Sequence, residues 1–202
     1  MIECHPRIPN VVASVSNNSI NIWDLEQPEQ TSEEQSVVNQ ISSIGWQHSS
    51  EKLIATASGD NLVYLFDVRQ NQMASSKFNL NIKTDLVTWN PCNEQMFATG
   101  HTDVVNIWDY RKYSEGNPLQ TLQLNSVGSV SKLQFDPVFG RLIMTQDKSM
   151  IRLFSADDGA ELDHYILPHN KSLVSAAFLP LRDSSKPGII ALPQKSSKFI
   201  YL

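Results

Sequence analysis

An all-β repeat fold is predicted for this chain of 202 residues by three observations. The first is the stretch 53–69, LIATASGDNLVYLFDVR, which reads as a strand, a tight turn and a second strand. Leu53, Ala55 and Ala57 alternate there with Ile54, Thr56 and Ser58. Gly59, Asp60 and Asn61 supply turn chemistry, since Gly accepts positive φ and Asp and Asn bond their own backbone. Leu62, Val63, Leu65 and Phe66 then give a β-branched and aromatic strand. The second observation is that the unit recurs: VVASVSNNSINIWDL at 11–25, FATGHTDVVNIWDYR at 97–111, LIMTQDKSMIRLFS at 142–155 and GIIALPQKSSKFIYL at 188–202. The third is its spacing. The closing aromatics Trp23, Phe66, Trp108, Phe154 and Tyr201 are 43, 42, 46 and 47 residues apart.

Each unit has an upstream strand. These are predicted at 2–6, 41–48, 86–91, 130–137 and 173–180, and a Pro stands at or just past the strand end in four of the five, where its missing N–H harms no ladder. Trp46, Trp89, Phe135 and Phe178 hold one equivalent inward position, and Cys4 stands there in the first unit. Asp136 follows Phe135 and opens a turn. Outer strands are expected around 36–39, 73–80, 119–124 and 161–167, with none after the fifth unit. The polar stretches 27–35, 112–117 and 182–188 read as loops. Helical periodicity and heptads are absent.

A period in the range of about 40–45 residues, closed by Trp-Asp, resembles the WD-repeat β-propeller family. Trp23-Asp24 and Trp108-Asp109 are the Trp-Asp pairs, and Phe66-Asp67 is their variant. The resemblance implies one propeller region over 1–202, with repeats near 1–39, 40–80, 81–124, 125–167 and 168–202. Five repeats are near the low end for a closed ring, and an open arc would expose sheet edges. We therefore expect a portion of a larger ring, of seven blades. Trp23, Trp108 and Asp60 read as blade-forming rather than ligand-binding. His169, before an inner strand, matches the His that WD repeats place within the blade. His101, with Asp103, reads as turn stabilisation.

Composition bounds the function. The net charge is −5, with no basic block, which disfavours nucleic acid or an anionic membrane as partner. Cys4 and Cys92 are the two cysteines, unlike the regular pairs of a secreted scaffold. Residues 1–10, MIECHPRIPN, have no apolar signal-peptide region, and no apolar run approaches the roughly 20 residues of a membrane span. A cytoplasmic protein is expected. No phosphate loop, HExxH, CxxC or GxSxG occurs, so no cofactor, metal or catalytic residue is assigned and an enzyme is not expected.

Two finer resemblances bear on partners. Residues 117–154, through Phe135-Asp136-Pro137 and Ile151-Arg152-Leu153-Phe154, look like the late propeller segment of coronins. His5-Pro6 with Asn10-Val11-Val12, Phe66-Asp67-Val68-Arg69 and the terminal KFIYL at 198–202 match as well. That likeness implies an interaction scaffold for actin or actin regulators, or one in Golgi and vesicle traffic. The ends Phe66-Asp67-Val68-Arg69 and Trp108-Asp109-Tyr110-Arg111 also resemble the motif of substrate receptors of cullin-type ubiquitin ligases. This implies an adaptor surface at Asp67, Arg69, Asp109 and Arg111, with guanidinium forks offered to the adaptor.

Overall fold

A computed structural model describes residues 1–16, 18–27, 35–36, 40–48, 53–68, 76–79, 83–112, 117–124, 129–167, 172–179, 188–193 and 200–201. Among these, every regular element is a β-strand. They form five antiparallel sheets, one per sequence unit, called blades 1 to 5.

Blade 1 holds β1 (Ile2–Cys4), β2 (Val11–Ser16), β3 (Ser19–Asp24) and β4 (Gln35–Ser36). Blade 2 holds β5 (Ile41–Trp46), β6 (Leu53–Ser58), β7 (Leu62–Asp67) and β8 (Ser76–Asn79). Blade 3 holds β9 (Leu86–Trp89), β10 (Met96–His101), β11 (Val104–Asp109) and β12 (Gln120–Gln123). Blade 4 holds β13 (Lys132–Phe135), β14 (Leu142–Gln146), β15 (Met150–Ser155) and β16 (Glu161–Ile166). Blade 5 holds β17 (Leu173–Leu179), β18 (Gly188–Pro193) and β19 (Ile200–Tyr201). Strands pair in chain order within each blade. Every strand expected from sequence has a counterpart, most of them shorter than predicted; residues 37–39, 73–75 and 80 of the expected outer strands lie outside the described residues.

One register runs through four blades. Trp46 faces Ile54 and Ile54 faces Phe66. Trp89, Phe97 and Trp108 form the same row, as do Phe135, Ile143 and Phe154. In blade 1 the row is Cys4, Val12 and Trp23.

The core lies between blades rather than within one. Each bulky row packs on the small face of the blade before it, large against small as close packing requires. Trp46, Ile54 and Phe66 meet Ala13 and Ile20. Trp89, Phe97 and Trp108 meet Ala55, Ala57, Val63 and Leu65. Phe135, Ile143 and Phe154 meet Ala98, Val105 and Ile107. Phe178 and Ile189 meet Met144 and Ile151. Middle strands are thus buried on both faces, which is why β6 and β10 read as near-continuous apolar runs with small residues interspersed.

Several expectations need correction. Tyr201 faces Ile190, whereas Phe178 faces Ile189. Tyr201 therefore sits one register step away from Phe66, Trp108 and Phe154. Cys4 has the register of the inner aromatics but is exposed. The neighbouring His5 turns inward instead, its ring 4.6 Å from that of Trp46. Trp23 is 36% exposed, against 1% for Trp108. In the turn after β6 the positive φ, 65°, falls on Asn61 rather than Gly59.

Candidate partner-binding surface

The blade edges present two rims. One carries the turns between first and second strands and between third and fourth. The Asp109–Arg111 unit lies there. Arg111 Nη2 donates to Asp109 Oδ2 at 2.9 Å and Nε donates to Oδ1 at 3.1 Å. The Arg111 backbone N–H also donates to Asp109 Oδ1, at 2.9 Å. The hydrogen bonds from this guanidinium hold the Asp109 carboxyl below the usual carboxylate range, and raise the guanidinium in turn. One edge of the exposed fork is therefore closed within its own turn. Asp67 is buried at the end of β7. Arg69 and His169 lie outside the described residues.

In blades 1, 3 and 4 the residue after the first strand caps its own turn on this rim, and in blade 3 it also reaches the next blade. Asn90 Oδ1 accepts from the N–H groups of Cys92 (2.9 Å) and Asn93 (3.0 Å), and its amide donates to Gly140 O in blade 4 at 2.6 Å. Asp136 accepts in the same way from Val138 and Phe139, at 2.9 and 3.2 Å. His5 Nδ1 accepts from Arg7 and Ile8, at 3.1 and 2.9 Å. These are Asx-type turns, with His standing in for Asx in blade 1. Asp24 Oδ1 accepts from Glu26 N at 3.0 Å.

The opposite rim carries the turns between second and third strands. Asp60 Oδ1 accepts from Leu62 N at 3.2 Å, and its Oδ2 accepts from the Tyr64 hydroxyl at 2.6 Å. Burial, then that bond, pushes the Tyr64 hydroxyl up to about 12. Asp147 caps Ser149 and Met150, at 2.8 Å each, and pairs with buried Arg152 at 3.5 Å. His101 ends β10, and its Nδ1 engages Asp85. Asp103 accepts from Thr102 Oγ1 at 3.2 Å, so both residues of the turn expected from sequence are engaged locally, His101 with Asp85 rather than with Asp103.

Beside His101 the blade 2-facing side of blade 3 opens into a groove of about 300 Å³, lined by Lys83, Thr99, Asn106, Asn117, Thr121 and their neighbours. Sequence reasoning did not single out Lys83, Asp85, Asn106 or Asn117. Asp85 and Lys83 lie on the connection into blade 3, outside any repeated motif. The available signal was the polar Asn106 within an apolar strand, VVNIWD.

Trp108 and Trp23 do share one blade-level bond. Trp108 Nε1 donates to Thr99 Oγ1 at 2.9 Å, and Trp23 Nε1 donates to Ser14 Oγ at 2.7 Å. Among the described residues no group of three or more His, Cys, Asp or Glu is placed to hold a metal ion. No helix among them is long and apolar enough to cross a membrane.

No family model matches the sequence. A WD repeat-containing protein of Dictyostelium discoideum is 28% identical over 216 residues, which cover 100% of this chain and 11% of that protein. Coronin-7 of Mus musculus is 23% identical over 150 residues, 71% of this chain and 16% of the relative. The GATOR2 complex protein WDR59 of Homo sapiens is 27% identical over 112 residues, 54% and 12% respectively. The chain thus spans a small part of each relative's length. Among solved structures, an outer coat vertex of COPII on membranes superposes with a TM-score of 0.81 at 19% identity, over 100% of this chain and 56% of that one.

Proposed function

We infer, from a chain that is a stretch of WD-repeat β-propeller, that it is a non-catalytic platform holding other proteins in a multi-protein assembly. The observation that carries this is the stacked-blade architecture. Large aromatic rows are consumed between blades, and what remains outward is a pair of rims built from rigid, capped turns. A rigid scaffold presenting polar turns suits recognition of protein surfaces. The relatives' names support an assembly role, WDR59 being designated a GATOR2 complex protein. The test is the full-length protein in extract, followed by sedimentation with its tag as readout. Migration well above its own mass supports the platform, and monomeric migration at physiological salt overturns it.

A coronin-like role in the actin cytoskeleton or in vesicle traffic is the second reading, acting in the cytoplasm. It rests on residues 117–154 and on the similarity to coronin-7. Co-sedimentation of the full-length protein with actin filaments tests it; recovery only in the supernatant, with filament turnover unchanged, removes actin as the partner.

A further inference from the structure

We propose that the groove on blade 3 is a binding site for an acidic side chain, Asp or Glu, on an extended segment of a partner protein. This deepens the platform reading and rests on it. The groove floor is made of polar groups with donors to spare. Asn106 is only 3% exposed. Its Oδ1 accepts from Thr121 Oγ1 at 2.7 Å, and its amide N–H groups have no acceptor among the described residues. Thr99, equally buried, accepts from Trp108 Nε1 at 2.9 Å, so its own hydroxyl proton also lacks an acceptor. Neither group is sealed from solvent without a partner; both donors face the groove and are open to an incoming acceptor. Two of them side by side in one cavity call for a ligand that accepts twice.

Charge selects among acceptors. Lys83 stands on the groove wall and makes no ion pair or hydrogen bond with any described residue. Asp85, the nearest acid on the same connection, is committed to His101 Nδ1. Asp103 is committed to Thr102 Oγ1. One uncommitted cation over two neutral donors matches a carboxylate, which has two oxygens and one charge; a phosphate dianion would require more cationic donors. A volume of about 300 Å³ is at the small end for ligand pockets and admits one side chain with its flanking backbone. At the groove's edge Thr102 is held at φ 48°. A β-branched residue there is a steric outlier, of the kind found where recognition fixes the backbone. Thr102 O also accepts from Val130 N at 2.6 Å, which locks this strained turn to the connection entering blade 4.

The test is panning of a random twelve-residue peptide library on the full chain, followed by fluorescence anisotropy with the best peptide. The expected result is enrichment of Asp or Glu at one peptide position. Replacing that residue by its amide should weaken binding at least tenfold, and so should Lys83→Ala, an exposed change that leaves the fold intact. Free glutarate should compete only at far higher concentration, which separates a peptide site from a small-carboxylate site. In NMR spectra the Asn106 side-chain amide signals should shift on titration. Selected peptides without an acidic position, or equal binding to wild type and Lys83→Ala, overturn the proposal; so does a groove that takes up water only and selects nothing. The platform reading fails separately, if the full-length protein also migrates as a monomer in extract.

Discussion

At the scale of single residues, one hydrogen bond distinguishes blades that look alike in sequence. Thr56 and Thr99 occupy the same register position, each on the second strand and two residues past the bulky row. In blade 3 the closing residue is Trp108, whose Nε1 satisfies Thr99. In blade 2 it is Phe66, which has no donor, and the fully buried Thr56 Oγ1 is left without a partner. The two threonines should therefore respond oppositely to the same change. Thr56→Val removes an unsatisfied hydroxyl and is expected to stabilise by about 1 kcal/mol, whereas Thr99→Val strands the Trp108 N–H and is expected to cost about 1–2 kcal/mol. Urea unfolding of both variants gives the sign directly; equal signs would refute this account. The Trp-Asp versus Phe-Asp difference was legible in the sequence, but its consequence was not, because the bond joins residues 9 apart across a strand pair.

At the scale of elements, the turns decide how blades lock together. Gly140 closes the turn after β13 at φ 66°, and its carbonyl accepts the Asn90 amide of the previous blade at 2.6 Å. A Cβ on Gly140 would come within 2.1 Å of Asn90 Oδ1. Gly140→Ala thus combines left-handed strain with a clash, and should cost about 2 kcal/mol or more. In an Asn90→Ala background the clash disappears and about 1 kcal/mol should remain. Calorimetry of the four-member cycle measures this; strict additivity would refute the clash. Elements of this kind mark the limit of sequence reading. Strand positions followed from alternation and from the aromatic period, because buried middle strands must be apolar on both faces. The pairs that tie turn to turn, Asn90 with Gly140 and His101 with Asp85, are 50 and 16 residues apart and follow no local pattern. Tyr201 shows the opposite error, since a correct period placed an aromatic one register step from its equivalents.

At the scale of the molecule, the inner strands bring blades 1 and 4 into electrostatic reach. Burial raises the Glu3 carboxyl to about 7, partly offset by Lys132. Lys132, itself lowered by burial, donates to Ala176 O at 2.6 Å in blade 5. The folded pKa of Glu3 lies above its unfolded value of 4.5, so the folded chain binds the extra proton between the two. This contribution is complete below about pH 4.5 and is lost as pH rises to about 7. Glu3→Gln should flatten that slope and raise stability at pH 8 by no more than about 3 kcal/mol. Denaturant midpoints at several pH values check it, an unchanged slope counting against it. Beyond this one pair, the blades form a row of four core layers, each shared by adjacent blades alone. Stability in such a row is a sum of nearest-neighbour terms. Two truncations in separate layers, Trp46→Ala and Phe178→Ala, should each cost about 3–5 kcal/mol and add to within about 0.5 kcal/mol. Two in one layer should not: Phe97 and Trp108 stack with centroids 6.2 Å apart, so removing the first leaves a cavity into which the second already relaxes. Phe97→Leu with Trp108→Phe, milder changes that keep the chain folded, should show an interaction energy above about 0.5 kcal/mol. Coupling of that size between blades 2 and 5 would mean that the layers are not independent, and that the row folds as one indivisible core.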